Sequence, residues 1–187
     1  MGLSGRVPVA RQIRNLALIG FMGVGKTSVG HLLAERLRFD FLDTDVLIER
    51  RAGKSITDIF AQDGEPVFRE LERLVVAQMV PLERTVISTG GGLPAHADNL
   101  TSLKAHALVV YLWASPEKLW ERVRYAHHRP LLSDPDPQAK IRRLLTEREP
   151  FYRQADVMLN TERRSLAEVA QHVIGEFRTF AHGPPGA

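Results

Sequence analysis

The chain has 187 residues and contains no cysteine. This absence excludes disulfide bonds, thiolate nucleophiles and cysteine-based zinc sites, and it is what we expect of a cytoplasmic protein. No run approaches the ~18 unbroken apolar residues of a membrane-spanning helix. Residues 1–14 include arginines but no apolar core of a signal peptide. We therefore expect no membrane partner.

The sequence also lacks a strong charge of one sign. It carries 25 Lys and Arg against 22 Asp and Glu, a net charge of +3. The basic residues are not gathered in one run, and no aromatic platform accompanies them, so nucleic acid is not an expected partner. There is no internal repeat or low-complexity segment, and the length suits about one domain. The small positive net charge suits a protein that binds small anionic molecules.

A phosphate-binding loop is the most informative feature present. Residues 20–27 read GFMGVGKT and match G-x-x-x-x-G-K-[ST]. In such a loop backbone N–H groups surround a polyphosphate, while Lys26 would reach the terminal phosphates and Thr27 would coordinate Mg²⁺. An apolar run at 16–19 precedes the loop, and apolar residues at helical spacing follow it. This strand–loop–helix context predicts nucleoside triphosphate binding.

Apolar runs alternate with amphipathic stretches along the chain. Besides 16–19, predicted strands lie at 39–42, 85–88, 107–112 and 157–159, a pattern typical of an α/β fold with a parallel sheet. Because the carboxyl ends of parallel strands share one edge, the segments that follow them are expected to converge. Those segments are the phosphate loop, Asp43 to Asp45, Thr89 to Gly92, and Ala114 onward.

Two of these segments allow two interpretations each. If Thr44 faces away, Asp43 and Asp45 reach one cleft, where one acid holds Mg²⁺ and the other accepts a hydroxyl proton. The alternative is a helix N-terminus, where Asp is favoured. The three glycines 90–92 permit close approach to a ligand and positive φ, or form a simple tight turn.

Three arginines are candidates for binding anionic groups. Arg69 could hold a carboxylate with Glu72 orienting it one turn on, or the two form a solvated ion pair. Arg129 lies in a proline-containing stretch without apolar periodicity, interpreted as a lid over about 122–137, and could close on a transferring phosphoryl group. Arg148 and Tyr152 are one helical turn apart and share a side.

The ordered combination of these motifs resembles the shikimate kinase family over about residues 15–177. The resemblance implies a P-loop three-layer α/β/α fold with a five-stranded parallel sheet, the lid, and a substrate-binding helical segment at about 46–74. It implies transfer of the γ-phosphoryl group of ATP to the 3-hydroxyl of shikimate, a step toward chorismate and the aromatic amino acids. The sequence departs from the family at Asn160, where Asp is common.

By similarity, each motif residue receives a role. Catalysis would involve Lys26, Asp45 and Arg129, and shikimate would be bound by Asp45, Arg69, Gly91 and Arg148. Mg²⁺ would be held by Thr27 and Asp43. ATP would be bound by Gly23, Val24, Gly25, Lys26, Thr27, Ser28, Arg129 and Arg164, with Arg122, Arg124 and Arg163 as alternatives for the adenine contact.

The expected organisation is a single domain at 15–180, with a flexible leader at 1–14 and a flexible tail at 181–187. We expect a monomer. Two other functions stay open: a gluconate-type small-molecule kinase of the same architecture, and a non-catalytic, kinase-derived ligand-binding module.

Overall fold

A computed structural model describes residues 11–124 and 135–182. Their centre is a five-stranded, all-parallel sheet in the order β2-β3-β1-β4-β5. The strands are β1 Asn15–Ile19, β2 Asp40–Asp43, β3 Thr85–Ser88, β4 Ala107–Trp113 and β5 Val157–Asn160. The predicted parallel sheet is confirmed, and each strand end lies within one residue of its predicted position.

Helices cover the sheet and connect its strands. They are α1 Lys26–Leu37, α2 Thr44–Ala52, α3 Ile56–Gln62, α4 Glu65–Met79, α5 Ala97–His106, α6 Pro116–Val123, α7 Pro137–Tyr152 and α8 Leu166–His182. A short 3₁₀ turn lies at Leu93–Ala95. On the sheet α1 contacts α8, and α4 contacts α2, α3 and α5. The predicted substrate-binding segment is thus a group of three helices, α2 to α4, between β2 and β3.

The core follows directly from the composition of the strands. Every residue of β1 and β3 is buried, and so are the first six of β4. These runs are rich in Leu, Ile and Val because both faces of a parallel sheet are covered by helices. Side-chain caps begin two of the helices. Ser115 caps α6 ahead of a proline, and the Ser165 N–H donates to Glu168 Oε2 at 2.7 Å before α8.

The connectivity places one strand at a switch point. β1 pairs with β3 on one side and β4 on the other. The chain leaves β1 toward β2 and leaves β4 toward β5, in opposite directions along the sheet, and this opens a crevice at their carboxyl ends. The phosphate loop follows β1 at this crevice. The carboxyl ends of β2 and β3 lie beside it, which brings the segments after all three strands together.

Parts of three predicted segments lie outside the described residues. They are residues 125–134 of the predicted lid, including Arg129, residues 1–10 of the predicted leader, and residues 183–187 of the predicted tail. Of the predicted leader, residues 11–14 are described, and Arg11 donates to both carboxylate oxygens of Asp156 at 2.8 and 2.7 Å. None of the described helices has the length and apolar character needed to cross a membrane.

Candidate active site

A cavity of about 470 Å³ opens at the carboxyl ends of β1, β2 and β3. The phosphate loop, the acidic pair, the glycine run, Arg69 and Arg148 all contribute to its wall. The predicted convergence is therefore correct for the segments after these three strands. Ala114, which follows β4, is buried and does not line the cavity, because the chain there continues directly into α6.

The phosphate loop has the backbone that its glycines require. Gly25 precedes α1 with φ of 102°, and a Cβ on Gly20, where φ is 136°, would collide with the carbonyl of Leu112. The Lys26 ammonium lies back along the loop and donates to the carbonyl oxygens of Gly20 and Phe21 at 2.8 and 3.0 Å. The positive end of α1 and this ammonium face the same space, which suits an anionic ligand.

Asp43 and Asp45 line one cavity and also begin a helix. Asp43 caps α2 by accepting from the Asp45 N–H at 3.0 Å, and its other oxygen accepts from the Thr27 hydroxyl at 3.2 Å. Thr44 is fully buried and faces away from the cavity that Asp43 and Asp45 line. The Thr27 hydroxyl and the Asp43 carboxylate offer adjacent oxygens. This donor set fits Mg²⁺, which is bound by few protein ligands together with phosphates and water.

Asp45 is chemically distinct from its neighbour. Burial and, next, the charge of Asp43 raise the pKa of Asp45 from 3.8 to about 6, although Lys26 opposes the shift. A carboxylate with such a pKa is ionised at neutral pH and more basic than an exposed aspartate. Asp45 is therefore suited to accept a proton from a hydroxyl group in the cavity.

The glycine run is required for close approach rather than for unusual φ. None of Gly90, Gly91 and Gly92 has positive φ, and Gly92 lies at −90°, so these residues do not use the positive φ that glycine permits. A Cβ on Gly90 would collide with the Asp45 carboxylate, and one on Gly92 would lie 3.0 Å from Arg69 Nη1. The run is small because charged groups of the site pack directly against it.

Arg69 is held by two glutamates in different surroundings. Its Nη1 donates to Glu72 Oε2 at 2.8 Å, and the Glu72 side chain is 1% exposed. The alternative of a solvated Arg69–Glu72 pair is thus wrong. Arg69 Nε and Nη2 both donate to Glu65 Oε1, at 3.0 and 2.7 Å, and Glu65 is 62% exposed. Burial raises the pKa of Glu72, while Arg69 opposes this shift.

Arg148 reaches the same cavity from α7. Its guanidinium lies over the ring of Phe21 at 5.7 Å and close to Gly91. The wall also includes two aromatic residues that the motif analysis did not select for the site, Phe60 and Phe68, whose ring centroids are 4.7 Å apart. Phe60 is an exposed aromatic residue on a helix, but its position beside the cavity depends on the packing of α3 against α4.

A second cavity of about 200 Å³ lies on the other side of the phosphate loop. It is lined by Gly23, Val24, Gly25, Ser28, Val29, Arg122, Thr161, Arg164, Leu166 and Val169. Arg122 donates to the Val24 carbonyl at 3.3 Å and to Thr161, and Arg164 donates to the Asn160 carbonyl at 2.7 Å. Of the four arginines considered for adenine, Arg124 and Arg163 do not line this cavity.

Comparison with known proteins gives a consistent result. The family model described as shikimate kinase matches residues 22–178. The shikimate kinase of Caldanaerobacter subterraneus subsp. tengcongensis is 43% identical over 162 residues, which is 87% of this chain and 95% of that protein. The crystal structure of Acinetobacter baumannii shikimate kinase in complex with shikimate is 37% identical, with a TM-score of 0.84 over 90% of this chain and 95% of that one.

A more distant structure shares the fold alone. A gluconokinase from Sinorhizobium meliloti is 20% identical, with a TM-score of 0.60 over 91% of this chain and 95% of that chain. At this identity the similarity extends to the arrangement of helices and strands and carries no argument about the acceptor.

Proposed function

The chain belongs to the shikimate kinase family, and from this premise we propose that it transfers the γ-phosphoryl group of ATP to the 3-hydroxyl of shikimate. The products are shikimate 3-phosphate and ADP, and the step leads toward chorismate and the aromatic amino acids. One observation carries the proposal: a phosphate loop, a buried aspartate and two arginines line a single cavity.

The acceptor end of the cavity fits a small ring that carries hydroxyl groups and a carboxylate. Arg69 and Arg148 bind the carboxylate through charge-assisted hydrogen bonds, and Gly91 leaves space for the ring to approach the backbone. Asp45 binds ring hydroxyls and accepts the proton of the attacking one. Its pKa of about 6 supports this role, because the carboxylate is ionised at neutral pH yet basic enough to take the proton.

The phosphate end is organised by the loop and the start of α1. The loop residues 23–28 donate backbone N–H groups to the phosphates of ATP. Lys26 exchanges the carbonyls of Gly20 and Phe21 for phosphate oxygens and stabilises the transferring group. Thr27 and Asp43 would hold Mg²⁺, whose charge offsets that of the phosphates when it is bound.

Arginines outside the acceptor end complete the proposed site. Arg129, outside the described residues, stabilises the migrating phosphoryl group from the lid at 122–137. Arg164, in the wall of the second cavity, contacts adenine, and Arg122 of the same wall is the alternative. We propose further that residues 15–180 act as a single domain, that the protein is a monomer, and that it works in the cytoplasm.

A direct comparison of acceptors tests the proposal. ADP formation by the purified protein should require ATP, Mg²⁺ and added shikimate, with little turnover on gluconate at the same concentration. Faster turnover on gluconate would favour the kinase that shares this fold. Binding of shikimate without any ADP formation would favour a non-catalytic module instead.

A further inference from the structure

The glycine run contacts all three charged groups of the acceptor site, one glycine to each. Gly90 lies against the carboxylate of Asp45, and Gly92 lies against the guanidinium of Arg69. Gly91 lies against Arg148, whose Nη1 would be 3.5 Å from a Cβ at that position. The distances between the base and the two arginines therefore depend on where this short run of backbone lies.

Three consecutive glycines do not hold a position by themselves, because glycine has the largest conformational freedom of any residue. The structure supplies hydroxyl groups that hold the run from outside. The Gly90 N–H donates to Thr44 Oγ1 at 2.8 Å. The Tyr152 hydroxyl donates to the Gly91 carbonyl at 2.5 Å. These two bonds join the run to α2 on one side and α7 on the other.

Both hydroxyl-bearing side chains have 0% relative exposure, and neither lines the cavity. They are therefore placed to act on the run and not on a ligand, and Tyr152 also interacts directly with Arg148, whose charge and hydrogen bond lower the Tyr152 pKa against the effect of burial. Each also belongs to the element that carries a charged group of the site. Thr44 precedes Asp45 at the start of α2, and Tyr152 lies one turn after Arg148 on α7. Burial raises the pKa of Tyr152 to about 12, so its hydroxyl remains a donor at neutral pH.

We propose that Thr44 and Tyr152 are positioning residues that clamp the glycine run between α2 and α7 and so set the geometry of Asp45, Arg69 and Arg148. The expected changes in KM and kcat rest on the proposed function, whereas the clamp itself does not. Removing the Thr44 acceptor loosens the run beside the base, so turnover falls more than affinity. Removing the Tyr152 hydroxyl loosens it beside Arg148, so shikimate affinity falls more than turnover.

The chain offers matched controls for both substitutions. Tyr111 is 1% exposed and stacks on Tyr152 at 5.0 Å, and its hydroxyl has no hydrogen-bond partner among the described residues. Tyr111→Phe thus removes a neighbouring buried hydroxyl that holds nothing in the described structure. Thr85 is buried at the amino end of β3, where its hydroxyl donates to the Glu83 carbonyl, so Thr85→Val is the control for Thr44→Val. Thr44→Ser keeps the acceptor oxygen.

The test measures hydrogen exchange of residues 89–93 in the ligand-free protein, together with steady-state kinetics. Tyr152→Phe should speed exchange and raise the KM for shikimate about 3- to 10-fold, the range of one neutral hydrogen bond. Thr44→Val should speed exchange and lower kcat by a similar factor, and Thr44→Ser should restore both. The KM for ATP and the two control variants should stay within about twofold of the wild type.

Unchanged exchange in Tyr152→Phe would overturn the clamp, as would equal effects of Tyr152→Phe and Tyr111→Phe. If Thr44→Ser did not restore the exchange rate and kcat, Thr44 would not be part of the clamp. If Thr44→Val does not fold, the exchange and kinetics of Tyr152→Phe alone test the clamp. A wild-type protein that does not phosphorylate shikimate would refute the proposed function alone, because the exchange measurement needs no substrate.

Discussion

Replacing the two glutamates that bind Arg69, one at a time, is expected to change shikimate affinity in opposite directions. The exposed Glu65 carboxylate accepts from Nε and Nη2 of Arg69, donors that would also suit the carboxylate of the proposed acceptor. The buried Glu72 binds Nη1 and holds the guanidinium toward the cavity. Under the proposed role of Arg69, Glu65 competes with the substrate carboxylate, whereas Glu72 orients the guanidinium that receives it.

The magnitudes follow from the exposure of each pair. An exposed ion pair contributes about 0.2–1 kcal/mol, so Glu65→Gln should tighten shikimate binding by up to about 5-fold. Glu72→Gln replaces a buried charge-assisted bond by a neutral one, a loss of about 1 kcal/mol. Shikimate binding should then weaken about 5-fold. Because burial raises the pKa of Glu72, all variants should be compared at the same pH.

Isothermal titration with shikimate at constant ionic strength provides the measurement. Glu70→Gln is the matched control, because Glu70 pairs with Arg73 on the outer side of the same helix and both are more than half exposed. Thermal unfolding establishes that each variant is folded. Weaker binding by Glu65→Gln, or wild-type binding by Glu72→Gln, would refute the view that Arg69 receives the carboxylate in the orientation set by Glu72.

Two further predictions concern titratable groups. Asp45→Asn should abolish most turnover while ATP still binds. The raised pKa of Asp45 makes the stability of the wild type fall as pH rises from about 4 to about 6. In metal-free buffer at pH 7, Asp45→Asn should therefore raise the free energy of unfolding by about 2–3 kcal/mol. Equal stability of the variant and the wild type would contradict this. His106 behaves in the opposite sense, since burial lowers its pKa and stability is lost as pH falls below about 6.5. His106→Leu should flatten that loss in urea titrations at pH 7 and 5, and an unchanged slope would exclude His106 as its source.

Local sequence patterns were sufficient to predict the strands of the sheet and many of the residues that line the cavity. Buried parallel strands are continuous apolar runs, so their positions are visible in sequence, and the phosphate loop is a contiguous motif whose flanks can be checked. Asp43 and Asp45 could be placed at the carboxyl edge because strand order does not alter which ends of parallel strands meet. The helix-cap interpretation of Asp43 does not exclude a position in the cleft, because one carboxylate oxygen caps α2 and the other accepts from Thr27.

The spacing of residues along the chain could not predict which side chains are buried or which distant residues are in contact. The Arg69–Glu72 pair was visible as a helical neighbour pair, but its burial depends on how α4 packs beside the cavity. Glu65 lies one turn before Arg69 and could have been noticed by the same rule. The bonds of Thr44 to Gly90 and of Tyr152 to Gly91 join residues 46 and 61 positions apart, and no local signal encodes them.

The most direct test of the account is a crystal structure of the protein with ADP, Mg²⁺ and shikimate bound together. We expect the shikimate carboxylate on Arg69 and Arg148, and its 3-hydroxyl within hydrogen-bond distance of Asp45 on the side that faces Lys26. Shikimate bound with its carboxylate away from both arginines, or with the 3-hydroxyl turned away from Asp45, would contradict it.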